Sequence, residues 1–307
     1  MFPPADAETL AFNAELEHAL EALPHITSVE PQVARDSREA GNSIFGPLER
    51  SPNAAEMAIP GPAGPLGLRV FPAADPLGVY LHIHGGGWVL GAPHHQDTRL
   101  EALAATARVT VVSVGYRLAP ESPYPAAPDD CEAAALWLVE NASAEFGASR
   151  LLIGGESAGA HLSVVTLVRM RDRHGFRAFA GANLLYGVYD LRMTPGSRAW
   201  GDRNLILDTR VMEWFISHFL AGHSPDDPDA SPFLADLSGM PPALFTVGTE
   251  DPLLEDTLFM QARWAAAGND AELAVYPGGI HAFDAFPVKI GGRALDRINR
   301  FVAGLLA

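Results

Sequence analysis

One cysteine is all that the 307-residue chain contains. With Cys131 alone, no intrachain disulfide can form. Its surroundings, Asp130-Cys131-Glu132-Ala133-Ala134-Ala135-Leu136-Trp137, read as a helix. Two flanking acids disfavour a thiolate there, so a packed structural thiol is expected. Basic residues are also short: 21 Lys and Arg stand against 37 Asp and Glu, a net charge of −16. That balance argues against nucleic acid and anionic membrane surfaces as partners, and otherwise serves solubility. No run approaches the roughly 20 apolar residues of a membrane span. The N-terminus lacks a basic stretch followed by an apolar core, so no signal peptide is read and a cytoplasmic location is the expectation. Internal repeats and low-complexity segments are lacking too.

What the chain does have is apolar residues, 48% of the total, enough for one sizeable α/β core with an insertion. Residues 7–23 place Leu10, Leu16, Leu20 and Leu23 at helical spacing, and Pro24 ends that helix. A Pro- and Gly-rich stretch to about Pro65 reads as irregular. Short β-like runs follow at 68–71, 79–83, 109–114, 151–153, 182–186, 243–247 and 271–276. Most are continuously apolar, as in strands covered on both faces. Helical stretches lie near 98–107, 129–146, 158–174, 254–268 and 293–306. The alternation predicts a mostly parallel sheet with helices on both sides. Residues 187–225 break the rhythm with Met212, Trp214, Phe215 and Phe219 on a helix from Thr209 to Leu220. This segment reads as an insertion that, with the N-terminal helix, forms a lid.

Two glycine-rich motifs carry chemistry. Gly155-Glu156-Ser157-Ala158-Gly159 sits between a strand and a helix, the context that gives G-x-S-x-G its meaning. A sharp turn there exposes the serine hydroxyl and aims a helix N-terminus at the reacting oxygen. The plain alternative is a glycine-rich turn with Ser157 as a helix cap. His84-Gly85-Gly86-Gly87-Trp88 follows another strand. Successive glycines let backbone N–H groups converge on an anion, and acyl transfer needs donors of that kind where the oxyanion develops. The N–H groups of Gly86, Gly87 and Ala158 are the candidates. His82 and His84 alternate on one strand face, with His94 and His95 nearby. Glycines rather than a further ligand follow the H-x-H, and there is no cysteine cluster, so neither metal nor cofactor is expected.

With these motifs the sequence resembles the hormone-sensitive-lipase-like family of α/β-hydrolase esterases, from about Gly78 to the C-terminus. Further matches are Tyr116-Arg117-Leu118-Ala119-Pro120-Glu121, Tyr124-Pro125-Ala126-Ala127, Asp129-Asp130, Leu185-Tyr186-Gly187 with Asp190, Asp251-Pro252-Leu253 and His281-Ala282-Phe283. The resemblance implies an α/β-hydrolase fold: a mostly parallel sheet of about eight strands, helices on both faces and a helical cap. Residues 1–45 would be the N-terminal part of the cap, and 46–307 the catalytic domain, with 187–225 the cap insertion. The family's acid falls on Asp251 and its histidine on His281, both on loops after strands, giving the chain order Ser, Asp, His. Glu250, Glu255, Asp256 and Asp284 are rival acids. In the family, His84 braces the oxyanion loop. Trp88, Glu156, Tyr186 and Trp214 are candidates for the substrate pocket. Members often dimerise, so a homodimer is a further expectation, without an interface legible in the chain.

The expected activity is hydrolysis of short- to medium-chain acyl esters by a two-step acyl-enzyme route, with a small-molecule ester and water as the reactants. The same triad also serves amides, formamides or carbamates. A non-catalytic small-molecule receptor on the same fold is the reading from another class.

Overall fold

The structure, a computed structural model, describes residues 2–307. Eight strands form one sheet: β1 (Ala55–Gly61), β2 (Gly64–Phe71), β3 (Gly78–Ile83), β4 (Val109–Val114), β5 (Leu151–Glu156), β6 (Phe179–Leu185), β7 (Ala243–Glu250) and β8 (Ala271–Ile280). Their order is β1-β2-β4-β3-β5-β6-β7-β8. From β4 to β8 every neighbouring pair is parallel, and β2 joins β4 antiparallel. Every residue of β3, β4 and β5 is buried, which is what their continuous apolar runs predict.

Alternation along the strands sorts the core into two layers. Val79, Leu81 and Ile83 face a cluster that includes α4 (Ala126–Phe146), α5 (Ala158–His174) and α8 (Leu254–Ala266). Tyr80, Val111 and Leu152 face the other, built on α1 (Ala7–Glu21), α3 (Asp97–Ala107) and α9 (Lys289–Gly304). Cys131 lies on α4, fully buried, and burial pushes its thiol well above the usual range with Asp130 adding to the effect. No helix among the described residues is long and apolar enough to cross a membrane.

Several elements depart from the sequence reading. The stretch before Pro65 contains α2 (Pro31–Glu39), with Pro31 at its first turn, and the antiparallel strand β1. β1 is the sheet edge and buries only Ile59, so it carries no apolar run, and Pro60 is tolerated there. α9 begins four residues early because Gly291 and Gly292 sit inside the helix rather than before it. The segment after β6 holds a short helix, α6 (Pro195–Ala199), and then α7 (Thr209–Leu220), the helix expected in the insertion.

Candidate active site

Ser157 stands alone between β5 and α5, with φ 55° and ψ −121°. A non-glycine residue rarely adopts this strained backbone, and such strain persists only where the surroundings enforce it. Here the Ser157 N–H donates to the Leu185 carbonyl at 2.9 Å, and its own carbonyl accepts the His161 N–H at 3.1 Å. The two flanking glycines explain the motif. A Cβ on Gly155 or Gly159 would lie 2.0 or 1.9 Å from the Ile83 carbonyl oxygen. The turn is therefore pressed onto the end of β3, and the glycine loop starts from that same end.

In that loop Gly86 and Gly87 have φ of 110° and 59°. Tyr116 donates its hydroxyl to the His84 carbonyl at 2.8 Å, and its ring stacks on the His84 imidazole at 4.1 Å. His84 Nδ1–H in turn donates to the Gly85 carbonyl at 2.8 Å. Burial pushes the His84 imidazole down to about 3, so it stays neutral and acts as a brace. Gly85 N–H donates to Glu156 Oε1 at 2.9 Å, tying the loop to the nucleophile turn. The N–H groups of Gly86, Gly87 and Ala158 donate to no acceptor among the described residues.

His281 follows β8. Its Nε2 lies 2.9 Å from Ser157 Oγ and its Nδ1 2.9 Å from Asp251 Oδ2. Asp251, in the turn after β7, is buried, and its other oxygen accepts the Leu253 N–H at 2.9 Å. The rival acids are engaged elsewhere. Glu250 pairs with Arg203 at 2.6 Å, and Glu255 accepts the Gly196 N–H at 2.7 Å. Asp256 accepts the Tyr189 and Asp190 N–H groups, and Asp284 pairs with Arg99.

The pocket candidates divide. Trp214 is half-buried on α7, beside Phe215, and a Cβ on Gly87 would lie 2.2 Å from the Phe215 ring. Phe215 thus borders the glycine loop, although the sequence reading left it among the general lid aromatics. Tyr186 is buried with its ring 4.8 Å from that of His281. Trp88 and Glu156 are both buried and spend their polar atoms on the protein. Trp88 Nε1–H donates to His161 Nδ1 at 3.1 Å and its ring stacks on Phe219. Two surface hollows, one bounded by Phe71 and Arg108 and the other by Tyr276 and Arg297, lie apart from Ser157.

Glu156 anchors a buried network that the sequence gives no hint of. It accepts from His82 at 3.0 Å and from Arg99 at 2.6 Å. Arg99 also donates to Asp284 at 2.5 Å, and Asp284 accepts the Tyr186 hydroxyl at 2.5 Å. Burial disfavours the charges on Glu156 and Arg99. The Arg99 and His82 partners outweigh it and hold the Glu156 carboxyl well below the usual range, while Glu156 and Asp284 hold Arg99 above its own. The network links the residue before Ser157 to the loop just after His281.

A nucleophile turn at the end of a central parallel strand, with an acid and a histidine on later loops, defines an α/β-hydrolase. A family model described as alpha/beta hydrolase fold matches residues 80–285. Carboxylic ester hydrolase LipN of Mycobacterium tuberculosis is 35% identical over 82% of this chain and 69% of its own. A hyperthermophilic esterase from the archaeon Pyrobaculum calidifontis superposes with a TM-score of 0.88 at 29% identity, covering 99% of this chain and 100% of that one. A hormone-sensitive lipase from a metagenome library gives 0.86 at 27% identity, covering 99% and 100%. The chain belongs to the α/β-hydrolase family and, within it, to the hormone-sensitive-lipase-like esterases.

Proposed function

We propose that this chain is a serine carboxylesterase acting on short- to medium-chain acyl esters of small molecules. The observation that carries the reading is the hydrogen-bonded line from Asp251 through His281 to Ser157, with both contacts at 2.9 Å. His281 takes the Ser157 proton as Oγ attacks the ester carbonyl, and Asp251 fixes the imidazole tautomer and stabilises the cation that forms. The N–H groups of Gly86, Gly87 and Ala158 receive the oxyanion, a type of contact whose loss costs about 10²–10³ in rate. His281 then returns the proton to the leaving alcohol. Water enters, gives a proton to His281 and attacks the acyl-enzyme, and the acid leaves as Ser157 is re-protonated. Its named relatives support the choice of ester as substrate.

We propose further that residues 1–45, of which Met1 lies outside the described residues, and 187–225 form the cap over this site. In support, His25 Nε2 lies 2.8 Å from Asp208 Oδ2, joining the two segments at the start of α7. Trp214 and Phe215 of α7 line the acyl side of the pocket.

Hydrolysis of p-nitrophenyl acetate and butyrate by Ser157→Ala tests the assignment. The variant is expected to fold normally and lose activity, and full retained activity would overturn the reading. Fluorophosphonate labelling at Ser157 separates an enzyme from a receptor on the same fold. Rates on matched esters and amides separate an esterase from an amidase.

A further inference from the structure

Glu39 is the last residue of α2, and His94 and His95 lie in the turn between the glycine loop and α3. Consecutive side chains of a strand point to opposite faces. In this turn, closed by the His95 N–H on the Ala92 carbonyl, both imidazoles come to the same side. Their rings stand perpendicular, with centroids 4.7 Å apart. His94 Nε2 and His95 Nε2 converge on one oxygen, Glu39 Oε1, at 2.6 and 2.8 Å. The three potential ligand atoms all lie within 4.8 Å of one another. Glu39 Oε2 is turned away and accepts from Arg50 at 2.9 Å.

We propose that Glu39, His94 and His95 bind one divalent transition-metal ion, with zinc the ion best matched to two imidazoles and a carboxylate. Nothing in the proposed ester hydrolysis uses these residues. Zinc takes such ligands at about 2.0–2.2 Å in tetrahedral geometry, which sets ligand atoms about 3.3 Å apart. The two Glu39–histidine distances are therefore shorter by roughly half an ångström to an ångström than in a metal-bound set. Glu39 lies at the protein surface with its side chain 41% exposed, so rotation of that chain opens the gap. Three protein ligands leave the fourth position to water. Without metal, Oε1 accepts Nε2–H from both histidines. With metal, each neutral ring carries its proton on Nδ1 instead and offers the Nε2 lone pair. Arg50 and Arg38 are the cations nearby. Arg50 occupies the carboxylate oxygen that the metal does not need.

The consequence is a cross-link. α2 is already held to the core by Arg35, which donates to the Val89 and Ala119 carbonyls at 2.8 and 2.7 Å. A metal would replace the existing Glu39–histidine hydrogen bonds with coordinate bonds, strengthening the attachment between the N-terminal segment and the turn leading out of the glycine loop.

Calorimetric titration of the untagged, EDTA-treated and dialysed protein with ZnCl₂ tests the site. One equivalent is expected to bind. Glu39→Gln and His94→Ala should each weaken that equivalent at least tenfold, and H94A/H95A should abolish it. MgCl₂, a hard cation that prefers oxygen ligands, should not compete. Glu39 is exposed and His94 partly so, which keeps the single variants decisive if the double variant does not fold. The proposal is overturned if the wild type binds no equivalent of zinc, if the single variants bind it as tightly as the wild type, or if magnesium displaces it.

Discussion

Gly155 and Gly159 act through what they omit. Each would place a Cβ only 2.0 and 1.9 Å from the Ile83 carbonyl oxygen, far inside van der Waals contact, and the obstacle is backbone rather than a flexible side chain. Gly159→Ala must therefore push the start of α5 away from β3. Overpacking of this kind costs about 1–3 kcal/mol, sometimes more. The rate should suffer further, because the same shift moves Ala158 N–H and Ser157 Oγ relative to the glycine loop. We expect a lower urea midpoint together with a loss of at least tenfold in kcat on p-nitrophenyl butyrate. Wild-type kcat in a folded Gly159→Ala would contradict this account of the motif.

Glu156 is the other residue whose role lies in its partners. Its carboxyl is held below the usual range, so the sign of its linkage is that of a depressed acid. The stabilisation is present above the unfolded value, near pH 4.3, and fades as pH falls through the lower native value. Glu156→Gln should therefore be destabilised at pH 7, and the gap to wild type should narrow below about pH 4. A stability difference independent of pH in urea titrations would show that only shape is at stake.

Among the elements, those legible in the sequence are the ones that local rules govern. β3, β4 and β5 are buried on both faces, so their runs are mostly apolar and easy to see. The nucleophile turn is legible because backbone sterics demand glycine at two fixed offsets. β1 was not legible, since an edge strand with one buried residue has neither run nor alternation. The choice of Asp251 over its neighbours came from the family resemblance and not from local rules. In the fold it rests on which carboxylate is left facing His281 after Arg203, Gly196, Tyr189 and Arg99 have taken the others. The buried network was hidden for a related reason. Arg99 lies 57 and 185 residues from its two carboxylates.

That network makes α3 the element that joins the nucleophile turn to the histidine loop. Arg99→Met would leave Glu156 and Asp284 buried without their shared cation. Removing one partner of a buried ion pair costs about 3–5 kcal/mol. Because Asp284 is three residues past His281, the loss should also loosen the imidazole. We expect Arg99→Met to lower kcat more than it raises KM, with a large drop in urea midpoint. A midpoint within error of wild type would mean that water replaces Arg99 at no cost.

Over the whole molecule, two buried neutral histidines set the response to acid. Burial pushes His84 down to about 3 and His161 down to about 4. In the unfolded chain both protonate near pH 6.5. Between these values the unfolded state binds protons that the native state refuses, so stability falls as pH falls, by up to about 1.4 kcal/mol per pH unit for each histidine. The geometry at His161 gives the reason for its refusal. Its Nε2–H donates to the Ala230 carbonyl at 2.8 Å, while Nδ1 accepts the Trp88 indole N–H at 3.1 Å. A proton added to Nδ1 would meet that indole hydrogen head on. His161→Gln can keep both contacts, with its amide oxygen accepting from Trp88 and its NH₂ donating to Ala230, but it does not titrate. The variant's stability curve should be shallower than that of wild type between pH 6 and 4.5, by about 1 kcal/mol per pH unit. Parallel curves would contradict the assignment. The Trp88–His161 contact also joins the loop that carries Gly86 and Gly87 to the helix that starts at Ala158. Its rupture on protonation would therefore separate the two sources of oxyanion donors, so the same titration that costs stability also undoes the geometry of the site.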